Sequence, residues 1–570
     1  MRCFKKYVLS FVLVTTALCA TTAQGGDLRD PVEFRAMWAD AFQAGFKSTS
    51  QISSLVTRAQ IGRYNAIIVE VMAYQDIGVT GHGAYWDSDI VPHATDVSGG
   101  IDPLATLVQT AHAANIEVHA WIVPYRVCNS WPPSGNSYLA ARDHWLMVED
   151  SDMGGGPAKV DGHYVFDTGA PEVQEYLISI VREIVSNYEV DGIHLDYIRH
   201  TVHNAGYPAR TWYTQSGLER FKAITGYVGT PPYSDNDWED FRRREIDEFV
   251  RRCYTETHVT ESPQQPLRQT AALICSGDAP SNFTSSDAYN LFQNWKYWLE
   301  QGWLDAACPM NYKREHCSSQ ATWFRNWVDA AVGWGSGRHV FCGQANYLNS
   351  FDNSITQMEY IYNAGADGSV NYSYAATRST ETLCDDVDNS VNDISWYSYL
   401  ALNLFTSTAT TPDMPWHDPA TATKGAVYGR IVDGATGNPV DNASVKLGAF
   451  TVAQTDGNGF YLYIPPFTIG TSGTTIPLNA EHASFGSASR PAVLVTRGTF
   501  TEVNFALGTW LDGDYDVDLD VDKADFNHFG DCITGPEAGP PAGGCDIFDF
   551  DNEGDVDLDD FRVFQDAFTG

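Results

Sequence analysis

The chain has 570 residues, too many for one hydrophobic core, so two to four domains are expected. A hydrophobic content of 43% beside 19% charged residues fits a folded protein, and the net charge of −37 excludes nucleic acid as a partner because phosphate would be repelled. Aromatic residues at 13% suit either a large aromatic core or a sugar-binding cleft, where ring faces stack on pyranose faces. The charge is uneven. From Asp512 onward, 18 Asp+Glu stand against 2 Lys+Arg, so much of the excess belongs to a tail with its own purpose.

The N-terminal stretch MRCFKKYVLSFVLVTTALCATTAQ has a basic start, an apolar run to about Ala17 and then small residues. It reads as a signal peptide, residues 1–24, cleaved between Ala20 and Gln24, which places the protein outside the cell or on its surface. Leu18 precedes Cys19, which favours secretion over lipidation. Neither this run nor any later one is long enough for a transmembrane anchor. Export permits disulfides. Eleven Cys less Cys3 and Cys19 leave nine, an odd number, and Cys532 and Cys545, flanking one loop, are the best-placed pair. No Cys-x-x-Cys occurs, which argues against a zinc or redox site.

Residues 27–405 alternate between short apolar runs and amphipathic stretches. The strand candidates are EFRAMWADAF, NAIIVEVMAY, EVHAWIVPYRV, DGIHLDYIR, RQTAALICS, DAACPMNY, HVFCGQANYL and GSVNYSYA. Helical patterns separate most of them, as in PEVQEYLISIVREIVSNY with Pro171 at its start. This alternation predicts an α/β fold, a (β/α)8 TIM barrel with enlarged loops. A doubly wound sheet is the alternative, disfavoured because no Gly-x-Gly-x-x-Gly follows an early strand. Alternation in DGIHLDYIRH sends Ile193, Leu195 and Tyr197 to one face and His194, Asp196 and Ile198 to the other. Asp196 then falls at the C-terminal strand end, where barrel enzymes keep their chemistry. Trp38, Asp40, Glu70, His119, Trp121, Arg126 and Tyr312 also fall near strand ends and are expected to converge with it.

Residues 406–423 are rich in Thr, Pro and Ala and read as a linker. Residues 424–508 carry short alternating strands punctuated by Gly and Thr, which predicts a small β-sandwich. Residues 509–570 contain two copies of one pattern, DYDVDLDVDKADF from Asp514 and DFDNEGDVDLDDF from Asp549, 35 residues apart. An EF-hand-type loop takes oxygen ligands at positions 1, 3, 5, 7, 9 and 12. Those positions are Asp514, Asp516, Asp518, Asp520, Asp522 and Asp525 in the first copy. In the second they are Asp549, Asp551, Glu553, Asp555, Asp557 and Asp560. So many close carboxylates call for a dication, and Ca2+ is the expected structural cofactor. Val521 and Val556 at position 8 can pack inward.

These motifs carry resemblances. EFRAMWADAF, EVHAWIVPYR, YEVDGIHLDYIRH and CPMNY resemble, in order and spacing, blocks of the glycosyl hydrolase-like 10 family. The resemblance implies a (β/α)8 fold and hydrolysis of glycosidic bonds in a polysaccharide. His200-Thr201 stands where the family usually has Tyr-Pro. DGIHLDY also resembles the catalytic strand of family 18 chitinases, but Ile198 occupies the position of their acid, so acetamido-assisted chemistry is not expected. Residues 424–508 resemble carboxypeptidase regulatory-like domains, which are spacers, and Asp456 and Asn458 are expected as turn residues. The tail resembles dockerin modules, which implies a cohesin-like or cell-surface partner. The insert carrying Cys532 and Cys545 departs from a compact dockerin.

Glycoside hydrolysis needs one protonated and one ionised carboxyl. Asp196 is the expected ionised partner, its pKa held down by Arg199 or Arg126. Glu70, on the apolar run IIVEVM, is the expected acid, with Asp40 and Glu315 behind it. Trp38, Trp121, Tyr197 and Tyr312 are the candidates for sugar stacking, and His119, Tyr125, Arg126 and Arg199 complete the substrate-binding set. A non-catalytic glycan-binding barrel and a structural surface protein are the alternatives.

Overall fold

The computed structural model describes residues 32–568 apart from 265, 385–388, 509–512, 516–520, 537–544 and 551–553. The expected signal peptide and the expected ligands Asp516, Asp518, Asp520, Asp551 and Glu553 lie outside the described residues.

Eight parallel strands close into a barrel: β1 (Phe34–Ala39), β2 (Ala66–Met72), β3 (Glu117–Ile122), β4 (Gly192–Leu195), β5 (Arg268–Ile274), β6 (Ala306–Met310), β7 (His339–Ala345) and β8 (Gly368–Tyr372). β1 pairs with both β2 and β8, which closes the ring. Each strand coincides with one apolar run of the sequence. Parallel strands are covered on both faces, so they carry near-continuous apolar residues. One principal helix follows each strand: α1 (Thr49–Gly62), α2 (Pro103–His112), α3 (Pro171–Asn187), α4 (Asn236–Val259), α5 (Trp295–Gln301), α6 (Ser318–Gly333), α7 (Phe351–Asn363) and α8 (Ser395–Asn403). Asp102, Asp235 and Ser350 cap α2, α4 and α7 with side-chain oxygens, and Pro103 and Pro171 sit in first turns where no N–H is missed.

Strand alternation divides two cores. Phe34, Ala36, Trp38, Ile68, Trp121, Cys308, Phe341 and Val370 fill the barrel. Met37, Ile67, Val69, Val118, Ile193 and Leu195 face the helices. Gly192 is required where β4 passes β5, because a Cβ there would lie 2.4 Å from the Arg268 carbonyl. The enlarged loops around β4 hold a four-stranded antiparallel sheet of residues 126–128, 164–166, 146–149 and 205–208. Its strands are too short for periodicity to mark.

The segment expected as a linker is a strap across the N-terminal ends of the strands. Thr410 bridges to Val32, and its carbonyl accepts from the Glu33 N–H at 2.9 Å. Asn65 Nδ2 donates to the Ala409 carbonyl at 3.0 Å. Thr411 Oγ1 donates to Glu117 at 2.5 Å, and Arg268 Nη2 to the Pro412 carbonyl at 2.8 Å. Low sequence complexity concealed these contacts, because backbone carbonyls do most of the bonding. Limited thermolysin digestion of the native chain should therefore leave residues 408–417 intact. Early cleavage there would contradict the strap.

Residues 424–508 form two four-stranded sheets. One contains Phe460–Tyr463, Ala426–Asp433 and Phe500–Glu502, with Phe505–Leu507 continuing along 426–433. The other contains Phe450–Gln454, Ser444–Leu447, Thr474–His482 and Gly486–Val495. Val427, Ile431, Val445, Tyr461, Leu478, Val493 and Phe505 pack between them. The first strand runs parallel to the last two, with Ala426 beside Phe500 and Ile431 beside Phe505.

This unit is docked on the barrel rather than spaced from it. Arg220 pairs with Asp441 at 2.7 Å, Arg430 with Glu175 at 3.2 Å, and Arg251 donates to the Phe460 carbonyl at 3.0 Å. Asp456 makes the expected turn, accepting from the N–H groups of Asn458 and Phe460, and also faces Arg251 at 3.6 Å.

In the tail, helices Lys523–Cys532 and Leu558–Ala567 each begin with an Asp capping box. Val521 and Val556 are fully buried in a core shared with Phe529, Phe548 and Phe564. Cys532 is joined to Cys545, and Cys317 to Cys384, a pair the spacing did not suggest. Among the described residues no helix is long and apolar enough to cross a membrane.

Candidate active site

The C-terminal strand ends gather three buried carboxyls. Asp40 follows β1, Glu70 lies on β2 and Asp196 follows β4; they are 8%, 3% and 5% exposed. Register brings them together. Glu70 is level with Trp121, Trp121 is level with His194, and the Asp196 N–H continues the ladder to the Ile122 carbonyl at 3.0 Å.

Their surroundings differ. Glu70 Oε2 accepts from the Ala41 N–H at 2.8 Å. Burial pushes its pKa up to about 8; that bond opposes the rise, the charges of Asp40 and Asp196 add to it, and Arg126 opposes it. Asp196 is also raised by burial. Arg199, the Tyr197 N–H (2.6 Å from Oδ1), Arg126 and the Trp121 indole N–H all act to hold it down. The two arginines therefore limit a rise that burial wins, and do not depress Asp196 below its ordinary value as the sequence suggested. Asp40 is raised by burial, against hydrogen bonds from backbone N–H groups including that of Phe42.

The aromatic residues take roles that strand-end position alone did not reveal. Trp38 is buried, and its Nε1 donates to His194 Nε2 at 3.1 Å, so it forms part of the barrel filling. Burial, then the nearby His119, drives the His194 pKa down to about 3, so this histidine stays neutral. Trp121 is buried beside Asp196, with His194 against its ring at 6.1 Å. Tyr312 stays at the mouth, half-buried above Trp38, and forms a ring cluster with Tyr347 and Tyr372 at 6.0 and 5.5 Å.

Tyr197 leaves the strand alternation. Its φ of 49° turns the chain, placing its ring with the barrel-side residues and Ile198 on the helix side. Arg126 and Arg199 lie 3.6 and 4.3 Å from the centre of that ring, so Tyr197 holds two guanidiniums near Asp196 and has little face left for a sugar.

Three expected residues are elsewhere. Tyr125 points into the helix-side core, 5.4 Å from Phe249, because β3 ends at Ile122 and alternation lapses through Pro124. His119 points inward but lies near the bottom of the barrel, against Phe34 and 3.0 Å from Glu117. Parity gives direction, not depth. Glu315 is committed to Arg325 at 2.6 Å.

Tyr372 was missed. Its hydroxyl is raised by burial and then by the charges of Asp40, Glu70 and Asp196, so it lies within electrostatic reach of all three carboxyls. Its position in NYSY, at the end of the last apolar run, was a usable signal. Tyr74, 2.9 Å from His163 and within 5.7 Å of Arg126, extends the same wall. A cavity of about 870 Å3 opens among Arg63, His112, Glu117 and Asp191 at the opposite end and does not include these groups.

A sequence model of the glycosyl hydrolase-like 10 family matches residues 33–348. The chain belongs to this family. The glycosyl hydrolase-like 10 segment spans β1 to β7 and so includes Asp40, Glu70 and Asp196. Glycosyl hydrolase YngK of Bacillus subtilis (strain 168) is 23% identical over 406 residues, 66% of this chain and 70% of that protein. Glycosyl hydrolase DigH of Escherichia coli (strain K12) is 26% identical over 290 residues; the match spans 46% of this chain and 61% of that protein. Among solved structures, the PgaB (BpsB) glycoside hydrolase domain from Bordetella bronchiseptica has a TM-score of 0.44 at 12% identity, covering 60% of this chain and 94% of that one.

In the tail of this glycosyl hydrolase-like 10 chain, the described carboxylates fit a hard cation. Ligand oxygens of Asp555, Asp557 and Asp560 lie within 4.8 Å of one another. Asp549 Oδ1 is buried without a hydrogen-bond partner, as an oxygen awaiting a metal would be. Asp525 and Asp560 play matching parts, each accepting from two backbone N–H groups of its own loop.

Proposed function

We propose that the chain is an exported glycoside hydrolase that cleaves glycosidic bonds of a polysaccharide. Glu70 is the general acid and Asp196 the ionised partner. The observation that carries this reading is the inequality of the two sites. Glu70 sits on an apolar strand with one short hydrogen bond, whereas Asp196 is flanked by two guanidiniums and a backbone N–H. On this reading Glu70 keeps its proton at neutral pH and Asp196 carries the negative charge. Asp40 adds negative charge that keeps Glu70 protonated. Tyr312, Tyr347 and Tyr372 supply ring surface for the sugar, and Tyr372 can donate a hydrogen bond to the reacting ring.

Purified protein incubated with a panel of polysaccharides should release new reducing ends from at least one. Saturable binding with no product from any member would favour a non-catalytic glycan-binding barrel.

The tail is proposed to hold Ca2+ and to attach the enzyme to a cohesin-like or cell-surface partner, as its dockerin-like repeat suggests. Calcium should slow hydrogen exchange in helices Lys523–Cys532 and Leu558–Ala567 of the intact chain, because unneutralised carboxylates repel in the metal-free form. Equal exchange in calcium and in chelator would remove the calcium assignment.

A further inference from the structure

His258, Asp305 and His417 meet beneath the barrel, away from the carboxyl mouth. Asp305 directly precedes β6, His258 lies in the last turn of α4, and His417 comes from the strap. His258 Nε2 is 3.1 Å from Asp305 Oδ2, and His417 Nε2 is 2.9 Å from Oδ1. The side chains are 3%, 8% and 0% exposed for His258, His417 and Asp305. One ligand atom from each residue lies within 4.8 Å of the other two. Phe500 of the sandwich stacks near both imidazoles, 5.6 and 6.2 Å away.

One nitrogen of His258 is already committed. Its Nδ1 is 2.7 Å from the Tyr254 carbonyl and can only donate there. Its Nε2 is buried in the cluster without a hydrogen-bond partner, 3.1 Å from Asp305 Oδ2. The two imidazole rings stack at 4.2 Å, and a cation between their Nε2 atoms and the carboxylate would engage all three ligand atoms at once. A buried ion pair, with His258 alone as imidazolium and His417 donating to Oδ1, is the competing arrangement. The outer partners are those of a metal site. The Tyr254 carbonyl orients His258, while the Gln269 N–H (2.8 Å) and the Trp416 indole N–H (2.7 Å) fix the two Asp305 oxygens.

We propose that His258 Nε2, His417 Nε2 and the Asp305 carboxylate bind a zinc ion that fastens the strap to the base of the barrel. Imidazole and carboxylate donors suit zinc, and tetrahedral ligation at zinc distances separates donor atoms by about 3.3–3.5 Å. The two histidine–carboxylate contacts need open by only a few tenths of an ångström, and the two imidazole nitrogens lie within 4.8 Å of each other. The Tyr254 hydroxyl, 3.3 Å from His417 Nε2, or a water completes the set. A cavity of about 860 Å3 bordered by His258, Asp413, His417 and Phe500 gives an ion access. The absence of Cys-x-x-Cys bears only on thiolate sites, and this donor set contains no sulfur. Arg338, 3.3 Å from Asp305 Oδ1, is the competing source of positive charge.

The test uses the full chain, stripped with chelator and then saturated with calcium to fill the tail. Zinc chloride is titrated calorimetrically and the melting temperature followed. One tight site and a higher melting temperature are expected. His258→Ala and His417→Ala should each weaken that site by more than the roughly 10- to 100-fold that an outer-shell change costs. Cobalt(II) added to the unmodified chain should give the visible bands of a tetrahedral ion, a readout that does not depend on either variant folding. Failure of zinc and cobalt to bind the unmodified chain would overturn the proposal and leave Arg338 as the neutralising charge. So would zinc affinity unchanged in both variants.

Discussion

Asp196→Asn should lower glycan turnover by several orders of magnitude while leaving sugar affinity close to that of the parent. The substitution keeps shape and volume, and an amide oxygen can still accept from the Tyr197 N–H at 2.6 Å. It removes the charge that would meet an oxocarbenium-like transition state, and with it the nucleophilic or base function. Loss of an interaction made mainly in the transition state appears in kcat more than in KM. A purely structural aspartate predicts the reverse. Arg126 and Arg199 would lose their shared counter-charge, the melting temperature would fall, and activity would persist wherever the fold survives. Melting temperature and hydrolysis rate measured on the same variant separate the two. A rate within about tenfold of the parent would exclude Asp196 as the catalytic anion and turn attention to Asp40.

Glu70→Gln should lose activity and gain stability together, most visibly at alkaline pH. Glu70 keeps its proton at neutral pH and releases it as pH rises through about 8, so parent activity should fall on that limb. The stability consequence follows from the same shift. Unfolded, this glutamate ionises near 4.5; folded, it holds its proton to about 8. The folded state therefore binds more protons than the unfolded state between those values. Parent stability declines across that window and levels off above it. Gln has no proton to lose and can still accept from the Ala41 N–H. The Gln variant should thus melt progressively higher than the parent as pH is raised from 5 to 8, while its rate is low throughout. A Gln variant that melts lower at every pH, with its pH–rate profile unchanged, would make Glu70 a tether between β1 and β2 and nothing more.

How much of this was legible in the sequence follows from what each element must do. The barrel strands must be apolar on both faces, so eight short apolar runs announced them. Glu70, inside one such run, and Asp196, directly after another, were legible as carboxyls at the C-terminal end of the barrel. The direction of side chains beyond the strand ends was not. Tyr125 and Tyr197 sit where the pleat ends, and each turns away from the face that counting assigns. The Arg126–Tyr197–Arg199 stack joins separate strand ends, and no local pattern encodes a contact across a barrel mouth. The strap and the docked sandwich escaped for a related reason. Thr- and Pro-rich segments look alike whether solvated or pinned, and the pinning groups Arg268, Asp305 and Asn65 lie far away in the chain.

The parallel pairing of the first and last sandwich strands has a mechanical consequence. Ala426–Asp433 leaves the barrel side, and Phe505–Leu507 leads toward the tail, and the two run side by side in the same direction. A pull on the tail against a barrel held by its substrate loads their hydrogen bonds together, in shear. An antiparallel pair loaded at one end would open bond by bond. The sandwich is thus built to carry tension, and under load the tail should give way before the strands that connect it to the barrel.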